Sequence, residues 1–282
     1  MSIEIKNLSH SYGTGSIFEK KALDDINLTI EKGDFVGLIG HTGSGKSTLV
    51  QHLNALLKPQ EGQILIDGED INADKSRLTA IRSKVGLVFQ YPEHQLFDMT
   101  VYKDVSFGPK NIGLSEEEIK QRVEGSLDIV GIGREFYEKS PFELSGGQKR
   151  RVAIAGVLAM GPEILVLDEP AAGLDPRGRD EILNQIKKMH ETLGITVILV
   201  SHSMEDIARL VNRILVINHG KIVLTGTPAE IFVQFDALEA INLASTQAAY
   251  IIRDLREAGF NLPSDIFTVD AAVAAILEAL PC

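Results

Sequence analysis

Alternating apolar and polar positions predict β-strands near the start of the chain. Residues 3–8 and 22–30 alternate as half-buried strands do, and the apolar run of residues 35–39 is typical of a strand buried on both faces. Residues 63–68 predict an edge strand with its turn, and residues 85–90 predict another buried strand.

Strands alternate with helices further along the chain. Strand character returns at residues 164–167 and 195–200, with a helical pattern over residues 179–193 between them. Strands separated by helices predict a parallel sheet with crossover connections. The pattern is mainly helical between residues 91 and 160, where Ser115-Glu116-Glu117-Glu118 predicts a capping box that opens a helix. Residues 213–225 predict a hairpin. We therefore predict an α/β core that is interrupted by a helical insertion.

The chain after residue 235 has a different character. Apolar residues at helical spacing predict two amphipathic helices, one that runs from about Ile241 until Gly259 stops it and one preceded by Thr268 as its N-cap. Two short helices are rarely stable alone, so they must pack on the core or on a partner. A cap on the same subunit and a dimer contact are both open from the sequence.

The loop after the third predicted strand carries the chemistry of a phosphate site. A strand, a glycine-rich loop and a helical pattern that begins at Leu49 follow one another here, which is the context that a P-loop requires. Glycines let backbone N–H groups turn inward around phosphate oxygens, and the new helix adds the positive end of its dipole. Lys46 would reach the β- and γ-phosphates, and Ser47 would place its hydroxyl on Mg²⁺. The expected nucleotide-binding residues of the loop are Gly40, His41, Thr42, Gly43, Ser44, Gly45, Lys46, Ser47 and Thr48.

Two adjacent acids end the strand predicted over residues 164–167. An acid at the carboxyl end of such a strand lies beside the ligand crevice of an open α/β sheet. Asp168 would hold Mg²⁺ through water, and Glu169 would polarise the attacking water. With the P-loop upstream, these acids predict hydrolysis of a nucleoside triphosphate.

Composition limits the classes of function. The 282 residues suffice for a full α/β domain and an accessory piece. No run approaches the roughly 18 apolar residues of a membrane-spanning helix, and we expect no secretory signal in residues 1–10. A net charge of −11 argues against broad nucleic-acid binding. The single cysteine, Cys282, excludes an intramolecular disulfide, which fits a reducing cytosol.

A five-residue motif between the P-loop and the two acids carries a family resemblance. Leu144-Ser145-Gly146-Gly147-Gln148 resembles the signature of ATP-binding cassette (ABC) ATPases. The other matching motifs are Tyr12 as the aromatic that stacks on adenine, Gln90 as the Q-loop glutamine, Gly173-Leu174-Asp175 as the D-loop and His202 as the switch histidine. The resemblance covers about residues 2–235. It implies a P-loop NTPase core with an antiparallel β region, a helical signature subdomain over about residues 91–160, and a C-terminal helical extension over residues 236–282.

The resemblance also implies how the parts divide the work. ATP and Mg²⁺ are the expected cofactors, with Glu169, His202 and Gln90 as catalytic residues. The expected metal residues are Ser47, Gln90 and Asp168. In this family two subunits face head to tail, and each ATP lies between one P-loop and the signature of the other subunit. The nucleotide contacts implied outside the P-loop are Tyr12, Ser145, Gly146, Gly147, Gln148 and Asp175.

Longer segments of the sequence resemble one particular group of ABC ATPases. Residues 90–97, 144–160 and 168–179, together with the helical tail, are similar to the ATPases of energy-coupling factor transporters, which import vitamins and transition-metal ions. That similarity implies a peripheral subunit at the cytoplasmic face of the membrane. Its implied partners are a second ABC ATPase, identical or a sibling, a membrane coupling protein and a substrate-binding membrane subunit. The similarity suggests that the segment after Gln90 docks the coupling protein. Glu93 and Asp98 could pair with basic residues there, or could be ordinary solvated charges, and the sequence leaves both open.

One alternative function stays open at this point. Soluble ABC ATPases act on nucleic acid or ribosomes. The short insertion between Gln90 and Ser145 has no room for the long coiled coil of chromosome-maintenance ATPases, and the chain has one cassette where ribosome-binding factors usually have two. Both features favour a transporter subunit, and no nucleic-acid partner is expected.

Overall fold

The computed structural model describes residues 2–279. Its strands are β1 (Ile3–Tyr12), β2 (Lys20–Ile30), β3 (Phe35–Ile39), β4 (Glu61–Ile66), β5 (Glu69–Asp70), β6 (Val85–Val88), β7 (Ile164–Asp168), β8 (Thr196–Val200), β9 (Arg213–Asn218) and β10 (Lys221–Gly226). Its α-helices are α1 (Lys46–Leu53), α2 (Leu78–Lys84), α3 (Val101–Asn111), α4 (Glu116–Ile129), α5 (Gly146–Leu158), α6 (Pro176–Leu193), α7 (Met204–Leu210), α8 (Pro228–Phe232), α9 (Phe235–Glu239), α10 (Gln247–Glu257) and α11 (Val269–Ala279). The prediction on Cys282 lies outside the described residues.

The strands form two sheets. One is antiparallel, in the order β2-β1-β4-β5, and the other has the order β10-β9-β3-β8-β7-β6. Strands β9, β3, β8, β7 and β6 run parallel, as predicted, and β10 pairs antiparallel with β9. Leu38 on β3 and Asp168 on β7 both pair with Val200 on β8. The carboxyl ends of these three strands therefore meet at one edge of the sheet, where α/β proteins bind ligands.

Most element boundaries match the sequence pattern, and three differ for local reasons. Strand β4 is not an edge strand, because the chain reverses after Asp67 and β5 pairs with its end. Helix α1 begins earlier than predicted, since Lys46 and Ser47 already belong to its first turn. Helix α6 begins at Pro176, a residue that fits the first helical position because its missing N–H would have no helical partner. The hairpin of β9 and β10 is confirmed.

The six-stranded sheet is buried on both faces. One face carries Val36, Leu38 and Val166, which pack with the antiparallel sheet and helix α1. The other carries Leu165 and Leu199, which belong to a cluster shared with helices α3 to α7. Alternate residues of one strand thus serve two cores, because successive side chains point to opposite faces.

Helices α3, α4 and α5 lie between β6 and β7 along the chain and pack against one another. The predicted capping box that opens α4 is confirmed: the Ser115 hydroxyl accepts from the Glu118 N–H, and the Glu118 carboxylate accepts from the Ser115 N–H. No helix within residues 2–279 is long and apolar enough to cross a membrane.

The C-terminal helices pack on the same subunit. The Ser245 hydroxyl donates to Phe232 O at 2.6 Å, and the rings of Phe232 and Phe267 are 5.9 Å apart. Helices α10 and α11 pack together around a small separate apolar cluster. The predicted first helix is wrong at its start, because α9 ends at Glu239 and Thr246 caps a new helix. The exposed apolar residues of α11, which leave a dimer contact open, are Val269, Val273 and Leu277.

Candidate functional site

The carboxyl edge of the parallel sheet brings three predicted motifs together. Strand β3 leads into the P-loop, β7 ends at the two acids, and β8 leads to His202. The Ser47 hydroxyl donates to Asp168 Oδ2 at 3.1 Å across 121 residues of sequence. His202 Nε2 lies 3.3 Å from Glu169 Oε1. The site is therefore assembled by strand order rather than by proximity in the chain.

Two glycines of the P-loop are required by close backbone approaches. A Cβ at Gly40 would lie 2.2 Å from Ile217 O, and a Cβ at Gly45 would lie 2.6 Å from Ala22 O. Gly45 also has a φ of 115°, a left-handed conformation that favours glycine. Neither position has room for a side chain, so the loop keeps its backbone close to the neighbouring strands and free for a ligand.

Lys46 lies buried across the loop. Its ammonium donates to Gly40 O at 2.7 Å and His41 O at 3.1 Å. Burial lowers the pKa of Lys46, and the charges of Glu169 and Asp168 oppose that effect. The Ser44 hydroxyl in the same loop is buried without a hydrogen-bond partner in the described part of the chain. A buried cation and a free hydroxyl fit the binding of phosphate oxygens.

The two acids differ in their surroundings. Burial raises the pKa of Asp168, while the hydrogen bond from Ser47 and the charge of Lys46 act against it. Burial, followed by the charge of Asp168, raises the pKa of Glu169 to about 7, and Lys46 opposes the rise. Like charges held close together in a desolvated site disfavour double ionisation. Glu169 can therefore exchange a proton near neutral pH.

Glu169 also has a strained backbone. Its φ is 53°, in the left-handed region that non-glycine residues seldom occupy. The turn is held by Glu169 N donating to Val200 O and by Ala172 N donating to Glu169 O, both at 3.1 Å. Such strain persists where the surrounding structure fixes it and is concentrated at functional sites.

His202 meets Glu169 without a formed hydrogen bond. Their close atoms are 3.3 Å apart, but Glu169 Oε1 has no partner in hydrogen-bonding geometry among the described residues. Burial and then the charge of Lys46 lower the pKa of His202, and Asp168 opposes them. The imidazole is therefore neutral at physiological pH, with about half of its side chain exposed. It is free to contact a ligand bound beside Glu169.

Tyr12 lies at the end of β1 with its ring half exposed. Its hydroxyl shares a 3.3 Å hydrogen bond with Thr48 Oγ1, and its ring meets the edge of His10 at 4.9 Å between centroids. These contacts fix the ring beside the first turn of α1. The exposed face is available for stacking on a planar base.

The signature motif lies on a different part of the subunit. Ser145 and Gln148 form a capping box that opens α5, which packs against α3 and α4, whereas α1 packs against β2 and β7. Outside its own helical turn, a Cβ at Gly146 or Gly147 would meet no atom of residues 2–279 within 4 Å. Neither glycine is therefore required by packing inside the subunit.

Gln90 and Asp175 are both exposed. Gln90 follows β6, which neighbours the strand that ends in Asp168, and Asp175 occupies the N-cap position of α6 without capping it through its side chain. Their side chains are free to contact a ligand or another subunit.

The sequence did not predict that Arg150 binds Glu93, and the suggested pairing of Glu93 with the coupling protein is wrong. The guanidinium of Arg150 is buried and holds both carboxylate oxygens of Glu93, at 2.9 and 2.6 Å. Burial by itself would raise the pKa of Glu93, but the hydrogen bond from Arg150, a backbone hydrogen bond and the charges of Arg150 and His94 together leave that pKa lowered. Glu93 is thus already paired inside the subunit and is not offered to a partner. The available signal was the helical spacing of Arg150 with the buried Ile154 and Leu158.

The turn between β9 and β10 also supports the P-loop, which the sequence did not indicate. His41 Nε2 lies 3.0 Å from Asn218 Oδ1, and Gly220 N donates to Ser44 O at 2.8 Å. A Cβ at Gly220, whose φ is 77°, would lie 2.8 Å from Ala22 O. The turn therefore holds the loop from the side opposite the acids.

The donors at the edge of the sheet fit Mg²⁺. Magnesium prefers oxygen ligands and is bound through one or two carboxylates together with substrate phosphates. The Ser47 hydroxyl and the Asp168 carboxylate are already in contact, and Lys46 and the P-loop amides lie beside them. The exposed amide of Gln90 is a further oxygen donor at the neighbouring strand end.

Comparisons with known proteins agree with this arrangement. The sequence matches the family described as ABC transporter over residues 23–172. It is 58% identical over 279 residues to the energy-coupling factor transporter ATP-binding protein EcfA2 of Clostridium tetani, covering 99% of this chain and 97% of that protein. The protein of the same name from Clostridium perfringens is 57% identical over 281 residues, with 99% of both chains covered.

Two solved structures have the same fold. One is cbiO1 from Clostridium perfringens, described as part of the ABC transporter complex cbiONQ, with a TM-score of 0.75, 40% identity, and 85% of this chain and 94% of that chain covered. The other is the ATP-binding cassette MJ0796, a dimer in a post-hydrolysis state bound to ADP and Pi, with a TM-score of 0.71, 33% identity, and 80% and 98% covered. The chain therefore belongs to the ABC transporter family and, within it, to the ATP-binding proteins of energy-coupling factor transporters.

Proposed function

We propose that this ATPase motor of an energy-coupling factor type ABC importer cleaves Mg²⁺-bound ATP in a site that a second subunit completes. The observation that carries the proposal is the environment of Glu169, a partly buried carboxylate on a strained backbone whose pKa is raised to about 7, next to His202 and close enough to Lys46 for its charge to act on it. A general base works best when its pKa lies near the working pH. The proposed catalytic residues are Glu169, His202 and Gln90.

The residues divide the reaction as follows. Lys46 and the P-loop N–H groups bind the phosphates, and Tyr12 stacks on the base. Glu169 accepts a proton from the attacking water, whose oxygen bonds to the γ-phosphorus while the bond to the β-phosphate oxygen breaks, giving ADP and phosphate. His202, which lies beside Glu169, contacts the γ-phosphate. Mg²⁺, held by Ser47, Asp168 and Gln90, would neutralise charge on the phosphates.

The second subunit is proposed to supply its signature. Glycines 146 and 147 are not needed inside this chain, and they begin a helix whose N–H groups and dipole attract an anion. Small residues there allow the close approach of another subunit's nucleotide, with Ser145, Gln148 and Asp175 around it. The dimer of MJ0796 with ADP and Pi supports such a shared site. The partner is a second copy of this chain or a sibling.

A groove beside the segment after Gln90 is the proposed docking site of the membrane coupling protein. The cavity, of about 460 Å³, lies between β6, α3 and α5 and has an apolar wall that includes Phe89, Phe97 and Phe107. The rings of Phe97 and Phe107 touch edge to face at 4.9 Å, and both remain about half exposed. Large exposed aromatic side chains that line a groove are typical of an interaction site. Asp98 remains the acid proposed to pair with a basic residue there.

The remaining proposals concern the setting of the motor. The relatives are named as energy-coupling factor transporter proteins, which supports a peripheral subunit at the cytoplasmic face that drives uptake of a vitamin or transition-metal ion. A membrane subunit that binds the solute completes the assembly. The division into a cassette of residues 1–235, with its helical insertion at about 91–160, and an extension of residues 236–282 is part of this proposal.

The catalytic proposal is tested with Glu169→Gln. Because the amide cannot accept the proton, the variant should bind ATP with unchanged affinity, lose turnover and accumulate as a closed dimer in size-exclusion chromatography. Glu191→Gln, which changes an exposed acid on α6, is the matched control. Wild-type turnover by Glu169→Gln would remove Glu169 as the base.

The docking proposal is tested by purifying the membrane complex with Phe97→Ser or Asp98→Arg chains. Both variants should lose the membrane subunits while keeping ATP affinity, whereas Phe260→Ser, an exposed aromatic in the C-terminal extension, should keep them. Unchanged assembly would contradict the site. Stimulation of the ATPase by ribosomes or DNA instead of by the membrane complex would favour the soluble alternative.

A further inference from the structure

Arg150 is a charged side chain buried to 99% in the interior of the cassette. Its guanidinium donates to Glu93 through Nε and one terminal nitrogen, and to Pro170 O at 3.0 Å and Ala172 O at 2.7 Å through the other. A buried guanidinium is tolerated only when its donors are paired. All four contacts are therefore expected to be maintained in the folded protein.

These contacts join three parts of the nucleotide site. Arg150 belongs to the helix that the signature opens, and Glu93 belongs to the short 3-10 helix Pro92–Gln95 directly after Gln90. Pro170 and Ala172 follow Glu169 within its strained turn and precede the D-loop. One side chain thus connects the signature helix, the segment after Gln90 and the turn that holds the proposed base.

Tyr91 strengthens the same connection. Its ring centroid lies 5.9 Å from the Arg150 guanidinium carbon, and a Cβ at Gly173 would lie 3.2 Å from its Cε1. Tyr91 also has a left-handed φ of 55°. Tyr91 therefore lies against both Arg150 and the start of the D-loop at Gly173.

Only arginine fits this position. Its planar fork can hold a carboxylate with two nitrogens and still present a third to two carbonyl oxygens. Lysine would keep the charge, but its single nitrogen cannot hold both Glu93 and the two carbonyl groups in this geometry. The arrangement goes beyond an ion pair, because two of the four contacts are to the backbone of the catalytic turn.

We propose that Arg150 is a positioning residue that transmits movement of residues 91–95 to the turn of Glu169 and to the D-loop, so that docking at the neighbouring groove sets catalysis. The transmission from the membrane side rests on the proposed docking function. The positioning of the Glu169 turn does not, because it concerns contacts within this chain. The two parts are therefore measured separately, in the isolated ATPase dimer and in the membrane complex.

The test compares Arg150→Lys with wild type in both preparations. In the isolated dimer we expect kcat to fall about tenfold with the KM for ATP unchanged, since the P-loop is untouched. In the complex the stimulation by the membrane subunits should be lost while those subunits still co-purify. Arg134→Lys is the matched control, because Arg134 forms an exposed ion pair with Glu124 in the same helical insertion.

A charge reversal separates positioning from simple ion pairing. Arg150→Glu combined with Glu93→Arg restores an opposite-charge pair but leaves Pro170 O and Ala172 O without a donor from position 150. Positioning predicts that kcat stays low even where the thermal midpoint recovers, and rescue of kcat would overturn it. If the double variant does not fold, Arg150→Lys decides the question. Wild-type values of both kcat and stimulation in that variant would refute the proposal. A parallel loss of kcat, ATP affinity and thermal midpoint would refute it as well.

The failure of the proposed docking function has its own signature. If wild-type chain is not stimulated by the membrane complex, docking is wrong, and the effect of Arg150→Lys on kcat in the isolated dimer still decides the positioning of Glu169.

Discussion

The raised pKa of Glu169 predicts how ATP hydrolysis depends on pH. Burial and the neighbouring Asp168 raise this pKa to about 7, far above the ordinary value of 4.5. A base with that pKa is about one tenth ionised at pH 6 and about nine tenths ionised at pH 8. We therefore expect kcat/KM to rise about tenfold between these two values, because only the ionised carboxylate accepts the proton.

The assay is steady-state ATP hydrolysis at constant ionic strength, with kcat/KM measured at intervals from pH 5.5 to pH 8.5. This ratio reports the ionisation of the free enzyme, which is the state that the structure describes. The pKa of His202 is lowered below its ordinary value, so its titration lies on the acid side of the expected rise. Glu169→Gln supplies the control, since its residual rate should lack the rise.

A flat profile from pH 5.5 upward would refute the reasoning, because a carboxylate with an ordinary pKa is fully ionised across that range. A rise that persists in Glu169→Gln would assign the titration to another group.

Three further predictions follow from the same site. Lys46→Ala removes a buried ammonium and should weaken ATP affinity at least tenfold, about 1.4 kcal/mol. His202→Ala should instead lower turnover and keep ATP affinity. Titration of each variant with nucleotide, followed by fluorescence, separates the two effects. Gly147→Ala should raise the thermal midpoint slightly, because alanine favours a helix by up to about 1 kcal/mol and its Cβ would meet no atom within 4 Å among the described residues outside its own helical turn. The same variant should lower ATP-dependent dimerisation. Unchanged dimerisation would argue against a signature that approaches the nucleotide of another subunit. Glu169→Gln should increase the free energy of unfolding at pH 8, measured in urea, by up to about 3 kcal/mol. The raised pKa of Glu169 means that the wild-type fold loses stability as the pH rises from 4.5 through about 7. The difference between the variant and wild type should therefore vanish near pH 4.5.

Local chemistry was readable from the sequence wherever neighbouring residues determine it. The capping box of Ser115 and Glu118 and the turn between β9 and β10 depend on a few consecutive residues, and both were predicted correctly. The parallel sheet followed from the alternation of strands and helices. The helix predicted through Ile241 was wrong because Thr246, inside the predicted helix, caps a new one.

The sequence by itself determined the order of motifs and therefore the family, the P-loop with Lys46 and Ser47, and the two acids at the end of β7. Only the tertiary structure decided that Glu93 is bound by Arg150 across 57 residues and that the C-terminal helices cover their own subunit. It also decided that Glu169 has a pKa of about 7 beside His202. The physical reason is that burial and charge–charge contacts are set by residues distant in sequence, whose distances are fixed only when the strands align.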